Sequence, residues 1–403
     1  MKPASRTIVH AELQPITSRS SEPVEICTAR HELTLYPDPG PFFAALERAI
    51  DAARERVWLE TYIYRDDELG APFAEHLVAA VKRGVDVRLL YDPQGSRGAD
   101  PAFFAALRAR GVQVRAYRPW RLARKRWTYW PRDHGRIVVV DHSAHTGGIN
   151  WGVEWLPPER GGHDWHDVSI AVRGPCVEDF ELVFQRRWAE ATEEDEIADY
   201  VSENPGDVEL IADSPAHSSI VLQRFCAAVQ RAERRVWIEN SYCVPPKILL
   251  HALSEAAQRG VDVQLLVPGK SDLPSIQRVT RGEYREWLQA RLCVHEYQPR
   301  VMHSKFALVD DDWSTVGTFN AISPGVWWAN EVNVVVREPR FVAELARVFE
   351  HDVAQSTPVT ESWIAARPWQ LRLWERVVAD LYRAVELLVV GAGRAPRLLS
   401  GRD

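Results

Sequence analysis

The sequence has 403 residues, of which 46% are hydrophobic and 26% are charged, a balance that is typical of a folded protein and excludes a largely disordered chain. Its formal net charge of −7 gives no general attraction for nucleic acid. The 5 cysteines are scattered without C-x-x-C spacing, which argues against a disulfide framework or a structural zinc site and favours a reducing compartment.

Residues 1–30 are predicted to be a polar N-terminal extension, because Pro3, Pro15 and Pro23 interrupt the segment and it has no apolar core. No later stretch offers an uninterrupted run of about 20 apolar residues, the length that a membrane-spanning helix needs. We therefore expect any contact with a membrane to be made from its surface.

Two parts of the chain repeat each other. Arg-Val-Trp-Leu-Glu at 56–60 returns as Arg-Val-Trp-Ile-Glu at 235–239, and Arg-Gly-Val-Asp-Val at 83–87 returns at 259–263. Helices and strands are predicted in the same order around both copies, which indicates an α/β fold. The predicted helices are 41–53, 71–82, 220–232 and 249–258, and the predicted strands are 57–64, 85–91, 236–242 and 261–267.

An acidic segment containing Pro and Gly, residues 193–215, is the predicted linker between the two copies. It separates an N-terminal lobe of residues 31–192 from a C-terminal lobe of residues 216–356. Residues 357–403 form a C-terminal amphipathic segment that is rich in Trp and Arg.

Each lobe carries a histidine motif that is followed by small residues and an asparagine. The first runs from His134 to Asp141 and the second from His303 to Asp310, and the same number of residues separates the two histidines and the two aspartates. The following segments are Gly147-Gly148-Ile149-Asn150 and Gly317-Thr318-Phe319-Asn320. Two such motifs in register within a repeat indicate an active site rather than coincidence.

The spacing of each motif suits phosphate chemistry. On a strand, alternate side chains share a face, so His134 points the same way as Arg136, and His303 the same way as Lys305. The cation can bind the nonbridging oxygens of a phosphate while the imidazole attacks phosphorus or moves a proton. The small residues allow a close approach of the backbone, and Asn supplies an amide donor.

This pair of motifs resembles those of the phospholipase D superfamily. The resemblance implies two similar α/β/α lobes related by a pseudo-twofold axis, with one active site at their interface and no metal or cofactor. His134 is then the expected nucleophile and His303 the general acid and base. Arg136 stands where the family usually has Lys, which retains the charge but changes the geometry. The residues expected to hold the phosphoryl oxygens are Arg136, Lys305, Asn150, Asn320, Gly148 and Thr318.

The same resemblance assigns two pairs of acids. Asp167 and Glu331 each lie downstream of a motif, where the family places a carboxylate that orients the histidine of that motif; a solvated charge at the end of a strand is the alternative. Asp141 and Asp310 are predicted to be structural, because each closes the turn that follows the motif strand.

The resemblance extends over roughly residues 32–390 to the bacterial cardiolipin synthases that lack N-terminal transmembrane helices, including Leu-Glu-Thr-Tyr-Ile-Tyr at 59–64 and Asp-Asp-Asp-Trp-Ser-Thr-Val-Gly at 310–317. It implies transfer of a phosphatidyl group between anionic phospholipids, by a peripheral protein at the cytoplasmic face of the bacterial inner membrane. The alternatives are a hydrolytic phospholipase D, a nuclease of the superfamily, or a membrane-binding protein without activity whose first motif has degenerated.

Two segments favour contact with lipid. Basic and aromatic residues precede the first motif, and a solvated or nucleic-acid-binding loop is the alternative for them. In the C-terminal segment, apolar residues fall on one helical face, which suits either a lipid interface or packing onto the protein. The predicted lipid contacts are Trp120, Arg124, Lys125, Arg126, Trp127 and Trp130, and the helical face comprises Leu371, Trp374, Val378, Leu381, Val385 and Leu388.

Four further histidines are of a residue type that can bind a metal ion. His142, His145, His163 and His166 are predicted to be loop or surface residues, because no consistent set of carboxylates or cysteines accompanies them in the sequence.

Overall fold

A computed structural model describes residues 22–119, 132–191, 199–203, 206–213, 219–323 and 329–391. Its backbone forms two large mixed sheets, one in each half of the chain, which confirms the predicted α/β fold with two similar lobes.

The first sheet has eight strands in the order β1-β2-β9-β8-β7-β3-β4-β5. Its centre is β3, which pairs in parallel with β4 and antiparallel with the motif strand β7. The strands are β1 Val24–Cys27, β2 Glu32–Tyr36, β3 Arg56–Thr61, β4 Asp86–Tyr91, β5 Gln113–Ala116, β7 Ile137–Val140, β8 Ser143–Gly147 and β9 Ser169–Arg173.

The second sheet has nine strands in the order β10-β11-β18-β16-β15-β12-β13-β14-β19 and repeats the pattern, since β12 pairs in parallel with β13 and antiparallel with the motif strand β15. Two further short strands, β6 and β17, pair in parallel across the two halves. The strands are β6 Arg132–Asp133, β10 Tyr200–Val201, β11 Val208–Ala212, β12 Arg235–Asn240, β13 Asp262–Pro268, β14 Cys293–Tyr297, β15 Lys305–Val309, β16 Trp313–Gly317, β17 Ala329–Asn330, β18 Val332–Val336 and β19 Ser356–Val359.

Helices cover the outer face of each sheet, and one helix from each half lies between the sheets in a shared core. The outer helices are α1 Pro39–Ala52, α2 Gly70–Lys82, α3 Pro101–Ala109, α5 Ile220–Arg231, α6 Lys247–Gln258 and α7 Pro274–Gln289. The inner helices are α4 Cys176–Glu190 and α8 Pro339–Ala354, and the chain continues with α9 Glu361–Ala366 and α10 Trp369–Gly391. Among the described residues, no helix is both long and apolar enough to cross a bilayer.

The alternation of side chains along the central strands sets these layers. In β3, Val57 and Leu59 face the outer helices, whereas Trp58 faces inward and stacks on Phe184 of α4 at 5.3 Å between ring centroids. In β12, the equivalent Trp237 stacks on Phe349 of α8 at 5.1 Å. The inner faces of both sheets therefore share one core, which fixes the position of one lobe against the other.

Three predicted boundaries need correction. Part of the predicted linker 193–215 belongs to the second sheet, because β11 is buried along its whole length and pairs with β18. Strand β11 is apolar apart from Glu209, whose carboxylate accepts a hydrogen bond from Arg337 within the fold. The predicted extension 1–30 contains the edge strand β1, and the C-terminal segment from residue 357 begins inside the edge strand β19.

Asp141 and Asp310 lie at the turns that follow the motif strands, where both have positive φ, +46° and +50°. Each carboxylate accepts three backbone N–H groups from the segment that begins the neighbouring central strand. For Asp310 the donors are the amides of Glu233, Arg234 and Arg235, at 2.8–3.0 Å. These contacts tie the motif strand to the strand beside it.

Substitution of Asp310 by Ala should lower the free energy of unfolding by about 1–3 kcal/mol, because three backbone donors lose their acceptor. Chemical denaturation with matched slopes would measure the change. Asp312→Ala is the matched control, since Asp312 is exposed on the same turn. An equal loss of stability in both variants would show that the three hydrogen bonds contribute nothing specific.

Candidate active site

The two motif histidines are each held by backbone from the opposite half. The N–H of His134 donates to the carbonyl of Asn330 at 3.0 Å, and the N–H of His303 donates to the carbonyl of His166 at 2.7 Å. The first contact directly follows the short pairing of β6 with β17. The second directly follows an isolated bridge between His166 and Met302. The duplicated halves thus meet with their motifs side by side.

The two downstream carboxylates cross the interface as well. Nδ1 of His134 lies 3.0 Å from both carboxylate oxygens of Glu331, and Nδ1 of His303 lies 2.8 Å from Oδ2 of Asp167. The expectation that each acid orients the histidine of its own motif was therefore wrong. The physical reason is the parallel pairing described above, which brings the segment before each acid against the motif of the other half.

These contacts fix the tautomer of both rings. A ring that donates its Nδ1–H to a carboxylate leaves the lone pair on Nε2. Both histidines are largely buried, with side chains 13% and 5% exposed for His134 and His303. Each ring therefore presents one basic nitrogen away from its carboxylate.

A cation lies beside each imidazole, as the strand alternation predicts. Nη2 of Arg136 is 3.1 Å from Nε2 of His134, and Nζ of Lys305 is 3.2 Å from Nε2 of His303. Both cations also donate to the carbonyl of their own histidine. Arg136 is anchored in addition by Asn150, whose Oδ1 accepts from Nε at 3.0 Å. The longer guanidinium is thus accommodated in a well-defined position.

Burial and mutual repulsion disfavour positive charge in this cluster. Burial, followed by the charges of Arg136 and Lys305, lowers the pKa of His134 well below its usual value. Burial and the charge of Lys305 lower the pKa of His303 to about 4, against the opposing effect of Asp167. Burial also lowers the pKa of Lys305 to about 7. An anion placed among these groups would stabilise their charged forms, which makes the cluster suited to a phosphate.

The two carboxylates differ in their ionisation. Burial opposes the ionised form of Asp167, but the hydrogen bond and charge of His303 and the charge of Lys305 outweigh it and lower its pKa. Burial raises the pKa of Glu331 well above its usual value, although a hydrogen bond from the hydroxyl of Thr318 opposes the shift. The two imidazoles therefore have unequal partners despite the near-symmetry of the site.

Gly148 and Thr318, two of the predicted phosphate contacts, lie next to the carboxylates that hold the histidines. The amides of Gly148 and Thr318 donate to strand carbonyls, and the hydroxyl of Thr318 donates to Glu331. A Cβ on Gly148 would lie 2.1 Å from Oδ1 of Asp167, so this glycine makes room for the carboxylate. The amides of both residues are thus paired within the fold, and their contact with a phosphate stays a prediction.

The other two predicted contacts, Asn150 and Asn320, are buried beside the site. Asn150 accepts from Arg136 and from the amide of Ile63, and Asn320 accepts from the hydroxyl of Ser241 at 3.1 Å. Asn150 therefore holds the guanidinium of Arg136 in position.

Aromatic side chains that the motifs did not predict surround the histidines. The ring of Tyr62 lies 5.1 Å from that of His134, and the ring of Tyr242 lies 6.0 Å from that of His303. Trp155 packs against His303 at 5.2 Å, and its Nε1–H donates to Asp167 at 2.9 Å. The two tyrosines lie just beyond the repeated strands β3 and β12, one and two residues after the strand ends, so comparison of the repeats could have indicated an aromatic residue at both places.

A buried polar cluster supports each motif from behind. In the first half, Arg187 of α4 pairs with Glu60 of β3 directly behind Gly135. A Cβ on Gly135 would collide with both side chains, so only glycine allows this ion pair next to His134.

Two of the histidines that were predicted to lie in loops or at the surface are buried, and one of them forms the second cluster. His166 is fully buried, and its Nε2 lies 3.0 Å from carboxylate oxygens of both Glu239 and Asp352. His145 is buried in β8 rather than lying at the surface, and burial lowers its pKa to about 4. The carboxylates that accompany His166 come from distant parts of the chain, which is why the sequence did not reveal them.

The three side chains of this second cluster are of types that ligate divalent cations, and their ligand atoms lie within 4.8 Å of one another. His166 lies between the two carboxylates, and burial together with the charge of Asp352 raises the pKa of Glu239. His142 and His163 are exposed, as predicted. The predicted lipid contacts at Trp120, Arg124, Lys125, Arg126, Trp127 and Trp130 lie outside the described residues.

Comparison with known proteins matches these features to one family. A family model described as "Cardiolipin synthase, PLD-like domain" matches residues 46–188 and 225–353, one segment in each half. The cardiolipin synthase of Halalkalibacterium halodurans is 30% identical over 365 residues, which are 88% of this chain and 72% of the relative. Cardiolipin synthase B of Salmonella typhi is 31% identical over 358 residues, 84% of each chain.

Solved structures of two other enzymes share the fold. The phosphatidylserine synthase of Haemophilus influenzae is similar with a TM-score of 0.68 at 12% identity, over 89% of this chain and 94% of that chain. The polyphosphate kinase of Porphyromonas gingivalis is similar with a TM-score of 0.58 at 12% identity, over 89% of this chain and 53% of that chain. With its two matched segments and its duplicated lobes, the chain belongs to the phospholipase D-like family of the cardiolipin synthases.

Proposed function

We propose that the protein is a phosphatidyltransferase that makes cardiolipin or a related phospholipid from phosphatidylglycerol-type donors. One observation carries the proposal: two imidazoles, each oriented by a carboxylate of the opposite half, lie beside Arg136 and Lys305 in a single buried cluster. This arrangement provides a nucleophile, a proton carrier and charge for a phosphodiester.

In the first step, Nε2 of His134 attacks the phosphorus of the donor lipid. The bond from phosphorus to the leaving glycerol oxygen breaks, and His303 gives its proton to that oxygen. The phosphatidyl group is then bonded to His134. Arg136, which faces Nε2 of His134 in the ligand-free protein, would turn its donors to the phosphoryl oxygens and so free the lone pair.

In the second step, the acceptor alcohol takes the place of the leaving glycerol. His303 removes the proton of its hydroxyl group, the oxygen attacks phosphorus, and the bond from phosphorus to nitrogen breaks. Water in place of the alcohol would give hydrolysis, so the ratio of transfer to hydrolysis depends on which of the two occupies this position. The sequence of steps predicts ping-pong kinetics.

The unequal carboxylates support this assignment of roles. Asp167 is held in its ionised form and therefore favours an imidazolium at His303, the state that a general acid needs. Burial favours the neutral form of Glu331, which leaves the imidazole of His134 neutral and nucleophilic. The substrate phosphate would raise the pKa of His303 from its ligand-free value of about 4.

Lipid as the substrate is supported by the relatives named cardiolipin synthase and by the net charge of −7, which is unsuited to a nuclease. Phosphatidylglycerol is an anionic lipid that suits the cationic cluster. We place the protein at the cytoplasmic face of the bacterial inner membrane as a peripheral protein, in keeping with its scattered cysteines.

The purified protein should convert vesicles of phosphatidylglycerol into cardiolipin and glycerol, because the donor also supplies the acceptor hydroxyl. His134→Asn and His303→Asn should each lower the rate by about 10³-fold or more, since one removes the nucleophile and the other the proton carrier. Mass spectrometry of the lipid products, with and without phosphatidylethanolamine, identifies donor, acceptor and the fraction lost to water.

His142→Asn is the matched control and should keep full activity, because His142 is exposed and lies on a turn beyond the motif strand. Cleavage of labelled DNA without any lipid product would refute the proposed substrate. Phosphatidic acid as the sole product would identify a hydrolase instead of a transferase.

The affinity for a soluble phosphodiester such as glycerophosphoglycerol should fall as pH rises above about 7. The protonated form of Lys305 binds the anion, and its pKa in the ligand-free protein is about 7, so binding must take up a proton at higher pH. The affinity should fall by about tenfold per pH unit until the pH reaches the pKa that Lys305 has in the complex. Titration calorimetry from pH 6 to 9 measures it.

Lys305→Arg is the informative variant, because Arg occupies the equivalent position in the first motif and keeps its charge over this pH range. Its affinity should depend only weakly on pH. If the variant and the natural protein showed the same steep decline, Lys305 would not be the titrating group.

A further inference from the structure

The C-terminal helix α10 packs onto the protein with its more polar side. On this side Val378, Ala379 and Tyr382 also join a small apolar cluster with residues of the second half. Arg383 donates to Glu283 of α7 at 2.8 Å and to the carbonyl of Pro245 at 3.1 Å. The hydroxyl of Tyr382 accepts from the amide of Ser323 at 3.1 Å. Among the described residues in the middle turns of the helix, Ala379 is the one apolar residue that is fully buried. These contacts fix the rotation of the helix about its own axis.

The opposite side of α10 is apolar and exposed. Leu388 is 73% exposed and Leu381 is 64% exposed, although a surface helix normally turns such residues inward. Contiguous exposed apolar area of this kind marks a surface that another molecule covers. The exposed face comprises Leu371, Trp374, Val377, Leu381, Val385 and Leu388.

A basic cavity of about 470 Å³ borders this face, between α7, α9 and α10. Of its arginines, Arg281 is already paired with Glu296, and Arg367 with Glu375. Arg376 pairs with Asp380 at 3.0 Å and Arg285 meets Glu361 at 3.8 Å, but the side chains of both pairs are more than half exposed, so water screens these contacts. The arginines that line the cavity are Arg281, Arg285, Arg367, Arg372 and Arg376.

Two of these arginines join the cavity to the apolar face. Arg372 and Arg376 are one turn apart, at the edge of α10 where the polar side meets the exposed residues Trp369 and Leu373. Nε of Arg372 is buried, and no hydrogen-bond partner for it is described. The apolar face of the helix is thus bordered by arginines. This order matches a membrane surface, where acyl chains lie next to anionic headgroups.

The helix also borders the site. Tyr382 and Arg383 hold the segments that follow Asn320 and Tyr242, and the ring of Tyr242 lies 6.0 Å from that of His303. A bilayer against the exposed face would lie about 10 Å, the width of α10, from the segments that form the second half of the site. A lipid could then offer its headgroup to the histidines while its acyl chains stay in the bilayer.

We propose that the exposed face of α10 and the arginine cavity at its edge form the surface by which this protein docks on an anionic lipid bilayer. This inference rests on the proposed function for its choice of lipid, and it names the element that brings the site to its substrate. Insertion of the leucines and tryptophans supplies apolar burial, and the arginines contact lipid phosphates.

Flotation of the full chain with vesicles tests the proposal. Vesicles of equal parts phosphatidylglycerol and phosphatidylcholine should bind the natural protein, and Leu381→Gln/Leu388→Gln should weaken binding at least about tenfold because two exposed leucines no longer insert. Leu182→Gln/Leu273→Gln is the matched control, since both leucines are exposed elsewhere on the surface. Its binding should not change.

The arginines have their own comparison. Arg372→Gln/Arg376→Gln should weaken binding to the anionic vesicles by about tenfold, and the control Arg340→Gln/Arg347→Gln, with both residues exposed on α8, should not. Pure phosphatidylcholine should bind the natural protein weakly, and this binding should not respond to the arginine substitutions.

Equal vesicle binding by Leu381→Gln/Leu388→Gln and the natural protein would overturn the proposal. If light scattering then showed a natural dimer that this variant converts into monomers, the face would belong to a second copy of the chain. Turnover of short-chain phosphatidylglycerol below its micelle concentration separates the two proposals. The leucine variant should keep the natural rate there, whereas absence of turnover in the natural protein would refute the proposed function and leave the vesicle result intact.

Discussion

The structure depends on the crossed contacts between imidazole and carboxylate at the interface of the two halves. Glu331 holds His134 and Asp167 holds His303, so each half orients the histidine of the other. Neither half contains a complete site, because a histidine without its acid loses both its tautomer and its orientation. The shared core around Phe184 and Phe349 keeps the two pairs in register. The active site therefore forms only when the two duplicated halves pack together.

The second constraint is electrostatic. Four groups that can carry positive charge are buried together, and each disfavours the charge of the others until an anion arrives. Two polar clusters behind the motifs hold this arrangement in place. Arg187 neutralises Glu60 in the first half, whereas His166 lies between Glu239 and Asp352 in the second. The halves thus bury charge with different side chains. The unequal ionisation of Asp167 and Glu331 makes the two histidines chemically unequal as well.

Much of this could be predicted from the sequence, because the repeats carry their own periodicity. The strands around Trp58 and Trp237 and the flanking helices lie within a few residues of their predicted places. The motif residues converge because alternate positions of a strand share a face. The partner of each acid could not be predicted, since near-symmetry makes pairing within a half and pairing across the halves look identical in sequence.

Other features of the structure could not be predicted from the sequence, for physical reasons that can be named. The carboxylates around His166 are far apart in the chain, and the acidic residues, Pro and Gly before β11 concealed this short apolar strand within the predicted linker. The helical periodicity of the C-terminal segment was correctly identified as amphipathic, but periodicity does not say which side faces the protein. That depends on tertiary partners such as Glu283 and Ser323, which hold the polar side of the helix.

The most direct test of the shared site is to trap the covalent intermediate. Radiolabelled phosphatidylglycerol would be mixed with the protein, quenched in alkali that preserves phosphohistidine, and the labelled peptide sequenced. The account predicts label on His134 in the natural protein and little label in Glu331→Ala, which removes the group in the other half that orients this ring. Label on His303, or full labelling of His134 without Glu331, would contradict it.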